Sequence, residues 1–438
     1  MLYALGSDIM ITVSMIFVVI AVLCISTVTL LIFGGLAAPT LRYNICSTAP
    51  LQNDSGQFLC VLEALTDAKA NQRSSFEVLT NGDLFYEAEL AAIGAAQKSV
   101  HLEAYIFDRG EIGRRYIEAL TERARAGIQV KIVCDAFGSL GVNDRYFDDL
   151  ICAKGVVAWY NGPRWYRIAR INNRTHRELV IIDGRVGFIG GAGIADQWYK
   201  TRGSHPRWRD TVIKIEGDVV THLQATFAST WLEAHGGILA SQEFFLTDEH
   251  PAEDTVAMIV NSTPSYGGAS RARILFQTLI ASATKTVHIT TPYFLPDKSL
   301  ADELVDAVRN RGIEVKILVP GEKSDLMLTR SASRRGYGPL LKAGAQVFEY
   351  QPSMIHAKIL LIDSLWSVVG STNFDQRSFG INNEVNLAVR GAAFTQRLEH
   401  DFLHDLSDSR ELSYDEWHKR PIIERIPEFF GRIIQQQQ

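Results

Sequence analysis

Three residues in the last quarter of the chain have the types and spacing of a phosphoryl-transfer site. His356, Lys358 and Asp363 follow the pattern His-x-Lys-x4-Asp, with the apolar run ILLI between the lysine and the aspartate. Side chains two residues apart on a strand point to the same face, so the histidine and the lysine are expected to project together. An imidazole transfers protons and an ammonium neutralises phosphate oxygens, which suits chemistry at phosphorus. Asp363 has the opposite parity, which favours a turn-forming or positioning role.

The histidine-to-aspartate spacing occurs a second time, at His176 and Asp183. A single histidine near a lysine is more often an ordinary surface pair, but recurrence at the same place in a repeated unit favours a functional site. Pseudo-twofold packing of two such units would bring both histidines to one cleft. One histidine would then attack phosphorus and become phosphohistidine, while the other protonates the leaving alcohol and deprotonates the incoming one.

The elements that must position these histidines form an internal repeat. In each copy a β-branched run, SVHLEAYIF or TVHITTPYF, precedes an amphipathic helix, a glycine and a second apolar run, GIQVKIVCD or GIEVKILVP. This order is typical of a βαβ unit with parallel, buried strands. Each copy then continues to a histidine, an apolar strand, an aspartate and a glycine-rich turn. The sequence therefore predicts an α/β fold with two equivalent domains.

The hydrophobic residues are concentrated near the start of the chain. Residues 9–33 contain no charge and no proline, and they exceed the roughly 20 residues that a helix needs to cross a bilayer. We interpret them as a single transmembrane helix in the cell membrane, with a cleaved signal peptide as the alternative. Arg42 after the span favours a cytoplasmic catalytic part. The predicted organisation continues with a linker over 34–75, domains over 76–245 and 258–410, and a tail over 411–438.

Composition excludes several classes of protein. The 438 residues have a net charge of −5 and are 47% hydrophobic, which is unlike disordered, collagen-like or coiled-coil chains. A pI near 6.1 argues against binding nucleic acid by bulk charge, so no nucleic-acid partner is expected. No cysteine or histidine spacing suggests a metal site, although Cys46 and Cys60 could pair in an oxidising compartment.

With these motifs, the sequence resembles the phospholipase D superfamily, and most closely its bacterial cardiolipin synthase branch. The resemblance covers nearly everything after about residue 76. Besides the two histidine motifs, it rests on the segments Glu103-Ala-Tyr-Ile-Phe, Trp208-Arg-Asp-Thr, Thr291-Pro-Tyr-Phe-Leu-Pro, Gly370-Ser-Thr-Asn, Asn382-Asn-Glu-Val and Glu416-Trp-His-Lys-Arg-Pro. It implies two similar domains with mixed sheets flanked by helices and related by a pseudo-twofold axis.

The resemblance also implies an activity. A histidine would attack one phosphatidylglycerol, release its glycerol and take up the phosphatidyl group. This group would then pass to a second phosphatidylglycerol at the membrane, with no metal or other cofactor. By analogy His176 is the nucleophile and His356 the acid/base, although the symmetry leaves their order open. A carboxylate of each half, Asp210 or Glu384, would orient a histidine ring. Lys358, Asp183 and Asp363 complete the expected catalytic set, and the expected substrate-binding residues are Arg209, Ser371, Asn373 and Glu103.

Two residues of the first copy depart from the pattern. Glu178 stands where the motif has lysine, and Gly193 stands where the second copy has Asn373. A carboxylate about 4 Å from a phosphate would cost on the order of 4 kcal/mol at an effective dielectric near 20. Glu178 must therefore pair with an arginine, rotate away or be protonated. We hypothesise that a nearby arginine carries the phosphate contact and pairs with Glu178, the candidates being Arg174, Arg177 and Arg209.

Other functions and surfaces remain open at this stage. A hydrolytic phospholipase D or phosphodiesterase would use the same histidines and differ only in the acceptor. A catalytically weakened lipid-binding scaffold is the other alternative, motivated by Glu178 and Gly193. Arginines cluster just before and after His176 and again before the second histidine, and they form either a solvated face or a contact surface for anionic headgroups. These residues are Arg164, Arg167, Arg170, Arg174 and Arg177 in the first copy, and Arg330, Arg334 and Arg335 in the second.

Overall fold

The computed structural model describes residues 15–26, 41–162, 172–203, 205–246, 254–264, 269–325 and 327–420. It divides into one unit over Met1–Leu41 and another over Arg42–Gln436. In the first unit, helix α1 covers residues 15–26 and exposes apolar side chains such as Phe17 and Leu23. Within the described ranges no helix has both the length and the hydropathy to cross a membrane. Residues 9–14 and 27–33 of the predicted transmembrane helix lie outside the described residues.

The second unit contains two mixed sheets, as the resemblance implies. In the described part of the chain, seven strands form the first sheet in the order β1-β7-β6-β5-β2-β3-β4. The strands β2, β3 and β4 run parallel to one another, whereas the other pairs are antiparallel. The bounds are β1 Ser74–Thr80, β2 Ser99–Ala104, β3 Gln129–Asp135, β4 Val156–Tyr160, β5 Glu178–Ile182, β6 Val186–Gly190 and β7 Thr211–Gly217.

The second sheet has the same plan with one added edge strand. Its described strands follow the order β17-β12-β11-β9-β13-β14-β16-β8, and a separate short pair joins β10 to β15. The bounds are β8 Val256–Ser262, β9 Thr286–Thr290, β10 Phe294–Leu295, β11 Glu314–Pro320, β12 Gln346–Tyr350, β13 Ile359–Ile362, β14 Trp366–Gly370, β15 Phe374–Asp375, β16 Glu384–Arg390 and β17 Ser409–Leu412.

Helices flank both sheets. Those before the second sheet are α2 Gly56–Thr66, α3 Gly82–Ala95, α4 Glu111–Arg125, α5 Asp148–Cys152, α6 Asp196–Tyr199 and α7 Val219–His235. Those that follow are α8 Arg271–Ser282, α9 Lys298–Arg309, α10 Met327–Ala343, α11 Gln376–Gly380, α12 Ala392–Ser407 and α13 Tyr414–Lys419. The predicted βαβ units are confirmed as β2-α4-β3 and β9-α9-β11, each with parallel strands.

Helix α9 shows why these segments fold as they do. The Asp297 carboxylate caps its first turn by accepting the Leu300 N–H at 2.9 Å. Leu300, Leu304 and Ala307 recur at helical spacing and are fully buried against the second sheet. After the helix, Gly312 adopts a φ of +69°, a conformation that glycine reaches without steric cost.

The two sheets share a hydrophobic core. The cluster between them joins Leu179 and Ile213 of the first sheet to Ile359 and Leu387 of the second. Helix α7 contributes further apolar side chains to the same cluster. Burial of this shared face fixes the two halves against each other, because separating them would expose apolar area of both sheets to water.

Two predicted boundaries differ from the structure. Residues 34–75 were expected to form a linker, but α2 lies within this range and buries Phe58 and Leu62 in the core of the second sheet. The linker prediction rested on the polar residues of this range, and the apolar segment FLCVLEAL within it forms the helix. The expected tail, 411–438, begins with residues of β17 and with α13, which pack on the second half. Residues 421–438 lie outside the described residues.

Candidate active site

His176 is held by residues of the second half. Its N–H donates to the Asn383 carbonyl oxygen at 2.9 Å. Its ring Nδ1 lies 3.1 Å from Glu384 Oε1 and 3.0 Å from the Ser371 carbonyl oxygen. The Ser371 hydroxyl donates to the same carboxylate and fixes its position. Two acceptors at Nδ1 place the ring proton there and leave Nε2 for chemistry.

His356 is held in the same way by residues of the first half. Its N–H donates to the Arg209 carbonyl oxygen at 2.7 Å, and its Nδ1 lies 3.0 Å from Asp210 Oδ2. Trp198 Nε1 donates to that carboxylate oxygen at 3.0 Å. Burial raises the pKa of Asp210, but the hydrogen bond to His356 and the nearby charge of Lys358 lower it below its ordinary value. The two histidines are thus exchanged between the halves, each paired with the other half's carboxylate.

Lys358 joins the two histidine sites. Its buried ammonium lies 2.7 Å from Nδ1 and 3.0 Å from Nε2 of His356. Burial lowers the pKa of the lysine to about 8, while the charges of Asp210 and Glu384 oppose that shift. Burial and the lysine charge lower the pKa of His356 to about 4. Both carboxylates therefore act on one ammonium, which places the two histidine sites in a single cleft.

Gly191 gives Lys358 the space that it occupies. A Cβ atom at this glycine would lie 2.8 Å from the lysine Cδ and 2.9 Å from its Nζ. The sequence predicted that this glycine lies in the turn after the histidine strand, but the structure places it one strand later, just after β6, where the backbone passes against the lysine of the other half.

The two departures of the first half are in contact with each other. Glu178 Oε1 accepts the N–H groups of Tyr105 and Ile106, each at 3.2 Å. A Cβ atom on Gly193 would lie 3.0 Å from this oxygen and 2.8 Å from Ile106 Cβ. Burial raises the pKa of Glu178 well above its ordinary value. The glycine therefore makes the room that the turned-back glutamate side chain needs.

The expected ion pair between Glu178 and an arginine is wrong for the residues that the structure describes. Arg209 instead pairs with Asp405 of α12 at 2.9 Å and is almost fully buried. Arg177 is buried and donates to the Thr230 hydroxyl. The third candidate, Arg174, lies over an aromatic ring, as described below. Of the alternatives predicted for the glutamate, its contacts fit rotation away from the phosphate and its raised pKa fits protonation.

Asp183 and Asp363 lie at the far ends of the histidine strands. The Asp183 carboxylate accepts the N–H groups of residues 97–99, and the Asp363 carboxylate accepts those of residues 284–286, at 2.7–2.9 Å. Both aspartates have a φ of +55°. The structure does not bring them to the histidine rings, and it places them where they join each histidine strand to the start of the neighbouring strand.

The other predicted site residues differ in whether they contact a catalytic histidine. Ser371 contacts His176 directly, as described above. Asn373 is buried two residues further on, and its Oδ1 has no hydrogen-bond partner within the described ranges. Glu103 lies behind His176, where it accepts a hydrogen bond from the Thr175 hydroxyl. Burial raises the pKa of Glu103 to about 7.

Aromatic residues complete the cleft and were not assigned from the sequence. The Tyr105 ring lies 5.1 Å from the ring of His176, and Trp198 and Trp208 lie 5.3 and 5.4 Å from that of His356. Tyr105 follows β2 in the segment EAYIF, and Tyr293 follows β9 in the matching segment TPYFL. With His101 and His288 aligned, the two tyrosines lie one position apart, and a tyrosine near the end of both matching strands was the signal that could have identified them.

Asp325 was also missed. It accepts a hydrogen bond from the Tyr293 hydroxyl at 2.6 Å, and its charge acts on both His356 and Lys358. In the described part of the chain no group of three or more histidine, cysteine or carboxylate side chains is arranged to hold a metal ion. The positive charge described in contact with His356 is that of the Lys358 ammonium.

The duplicated α/β fold, with two imidazoles exchanged between its halves around one ammonium, defines a class of phosphoryl-transfer enzymes with a single composite site. Residues 90–231 and 276–406 match the family model described as "Cardiolipin synthase, PLD-like domain". The chain belongs to this family of phospholipase D-like enzymes, and the recognition made from its motifs is confirmed.

Individual relatives agree with this family. Cardiolipin synthase 1 of Bacillus cereus is 33% identical over 403 residues, which cover 90% of this chain and 78% of the relative. The major cardiolipin synthase ClsA of Bacillus subtilis is 33% identical over 383 residues, covering 87% and 79%. Among solved structures, phosphatidylserine synthase from Haemophilus influenzae has a TM-score of 0.63 at 14% identity, covering 85% of this chain and 97% of that one. That likeness concerns the fold alone.

Proposed function

We propose that the chain is a cardiolipin synthase, which transfers a phosphatidyl group from one phosphatidylglycerol to another and releases glycerol. The observation that carries this proposal is the exchange of histidines between the halves, which builds one site from two copies. Two imidazoles in one cleft supply both a nucleophile and an acid/base. The relatives named as cardiolipin synthases support an alcohol, rather than water, as the acceptor.

In the first step, Nε2 of His356 attacks the phosphorus of one phosphatidylglycerol. A phosphorus–nitrogen bond forms while the bond from phosphorus to the glycerol oxygen breaks. His176, in its imidazolium form, gives its Nε2 proton to that oxygen, and glycerol leaves. The phosphatidyl group is now held on the enzyme as phosphatidylhistidine.

In the second step, the hydroxyl of another phosphatidylglycerol loses its proton to His176. Its oxygen attacks phosphorus, and the phosphorus–nitrogen bond breaks. Cardiolipin forms, and both histidines return to their starting states. The reaction consumes two phosphatidylglycerol molecules and yields one cardiolipin and one glycerol, so atoms and protons balance.

The surroundings of the two histidines support this order, which is the reverse of the one expected by analogy. Burial and the Lys358 ammonium keep His356 uncharged at neutral pH, and a nucleophile needs a free lone pair. At His176 the corresponding position holds Glu178, which faces backbone N–H groups instead. Lys358 is also placed to neutralise the phosphate oxygens during attack, and we propose that the Asn373 amide binds the same group.

We also propose that residues 9–33 anchor the enzyme in the cell membrane, with the catalytic part on the cytoplasmic side. The support is the uncharged, proline-free sequence of this stretch and Arg42 just after it. An anchor would keep the cleft near a substrate that is confined to the bilayer. Protease accessibility in sealed spheroplasts tests the orientation, since external protease should leave the catalytic part intact.

The decisive assay is incubation of the purified full chain with radiolabelled phosphatidylglycerol in the presence of EDTA. Equal amounts of cardiolipin and glycerol are the expected products. Phosphatidic acid with glycerol would instead identify a hydrolase. Lipid binding without any product would identify a scaffold. The His356→Ala variant is the matched control, because it removes the proposed nucleophile.

A further inference from the structure

A surface loop beside the active site exposes two large apolar side chains. The loop spans residues 136–143, between β3 and the short 3-10 helix Asp144–Phe147. Phe137 and Leu140 are 58% and 71% exposed. At the same position of the second half, after β11, residues 321–325 read Gly-Glu-Lys-Ser-Asp. When β3 and β11 are aligned, Phe137 and Leu140 therefore correspond to the charged residues Glu322 and Asp325 of the second half.

The base of this loop is fixed to the chain that carries His176. The Asp135 carboxylate accepts the N–H groups of Phe137 and Gly138, both at 2.9 Å. Its second oxygen accepts the N–H of Thr175, the residue before the histidine, at 3.0 Å. A single buried carboxylate thus joins the loop to the histidine segment.

The loop also packs on the aromatic wall of the cleft. The Ser139 hydroxyl donates to the Tyr105 carbonyl oxygen at 2.9 Å. A Cβ atom on Gly138 would lie 2.3 Å from that oxygen and 2.6 Å from the tyrosine ring, so the backbone approaches closely. The same ring contacts His176. Phe137 and Leu140 therefore flank residues that touch the wall of the active site.

A cation lies on the exposed aromatic ring. The Arg174 guanidinium is 4.5 Å from the centre of the Phe137 ring. Arg174 is buried, so its guanidinium supports the inner side of the ring and leaves the rest of the Phe137 side chain exposed. The occupant that this surface favours is a bilayer, because the exposed apolar pair adjoins the segment of His176, whose proposed substrate is a bilayer lipid.

We propose that the loop over residues 136–143 inserts Phe137 and Leu140 into the headgroup boundary of a phospholipid bilayer and so holds the mouth of the cleft against the membrane. This contact is separate from the predicted anchor over residues 9–33. It rests on the proposed function only in assuming that the substrate is a bilayer lipid. The loop then serves as the fixed point at which lipid leaves the bilayer for the cleft.

Photo-crosslinking tests the contact without relying on activity. The full chain, with Phe137 replaced by p-benzoyl-phenylalanine, is reconstituted into phosphatidylglycerol vesicles that contain radiolabelled phosphatidylcholine. The same replacement at Leu403, which is 55% exposed on α12, is the control. We expect at least about fivefold more labelled adduct at position 137. Equal labelling at the two positions would overturn the proposal, whether or not the enzyme turns over.

A second test compares two forms of substrate. In the Phe137→Ser/Leu140→Ser variant, glycerol release from bilayer phosphatidylglycerol should fall at least about tenfold, because the variant lacks the two apolar side chains that insert into the bilayer. Release from monomeric dihexanoyl phosphatidylglycerol should stay within about twofold. Unchanged rates on bilayers, or equal loss on both substrates, would contradict the membrane contact. Absence of glycerol release from the wild type would instead reject the proposed function. The crosslinking experiment would still show whether the loop contacts the bilayer.

Discussion

The two histidine sites have the same geometry and different charge. Each imidazole is held through Nδ1 by a carboxylate of the opposite half, Glu384 for His176 and Asp210 for His356. Only the second half, in the described residues, supplies a lysine beside its histidine. The corresponding residue of the first half, Glu178, turns back to backbone N–H groups.

This difference shows which parts of the repeat are needed twice. The exchange of histidines requires both halves, because His176 contacts Glu384 and His356 contacts Asp210, each on the other half. The phosphate, by contrast, is one group in one cleft, and the charges of both carboxylates already act on a single buried ammonium. One half can therefore lose the lysine of the motif while the exchange of histidines is retained, provided that the residue in its place, here Glu178, makes other contacts.

The largest predicted effect tests that difference directly. Lys358→Ala should lower kcat by about 10²- to 10³-fold, because it removes the described charge that stabilises the phosphate oxygens. Glu178→Gln should change kcat by less than about threefold, because an amide can replace a side chain that accepts backbone hydrogen bonds. Steady-state cardiolipin formation measures both. A large loss in the glutamine variant would show that the first half does supply charge to the reaction.

The exchanged carboxylates should be equivalent in spite of this asymmetry. Asp210→Asn and Glu384→Gln should each lower kcat by about 100-fold, because a misoriented imidazole loses the reacting geometry. Circular dichroism of both variants, compared with the wild type, confirms that the fold is retained. If one carboxylate proved dispensable, the two histidines would not be held in the same way.

The asymmetry should also appear in the pH dependence. Burial lowers the pKa of Lys358 to about 8, so the lysine loses its charge at lower pH than an ordinary lysine. We expect kcat/KM to fall about tenfold for each pH unit above that value. In Lys358→Arg the guanidinium stays charged, so whatever activity remains should lack this alkaline decline. A wild-type profile that is flat between pH 8 and 10 would contradict the assignment.

The smallest predicted effect concerns the strand ends. Asp363→Asn should lower the free energy of unfolding by about 1–2 kcal/mol, because it weakens charge-assisted hydrogen bonds to residues 284–286. The folded state lowers the pKa of Asp363, so this contribution is complete above the ordinary carboxyl pKa and fades as the pH falls through the lower folded value. Denaturant unfolding at pH 7 and pH 3 measures the change. An equal difference at both pH values would disagree with this role.

Much of the fold was predictable from the sequence because it repeats. The βαβ units and both histidines recur at equal positions, and hydrophobic periodicity identifies their strands and helices. The origin of each partner carboxylate was not predictable, since the pairing of His176 with Glu384 spans the whole repeat. The same is true of Arg209, whose partner Asp405 lies on α12. An ion pair predicted from nearby residues failed because distant elements competed for the arginine.

The most direct test of this division between the halves is to identify the histidine that carries the phosphatidyl group. The full chain is mixed with phosphatidylglycerol, quenched rapidly under alkaline conditions that preserve the phosphorus–nitrogen bond, digested and analysed by mass spectrometry, with His176→Ala and His356→Ala as controls. The account predicts a phosphatidyl adduct on His356 in the wild type that is absent from His356→Ala and forms more slowly in His176→Ala, which lacks the group that protonates glycerol. An adduct on His176 in the wild type would contradict it.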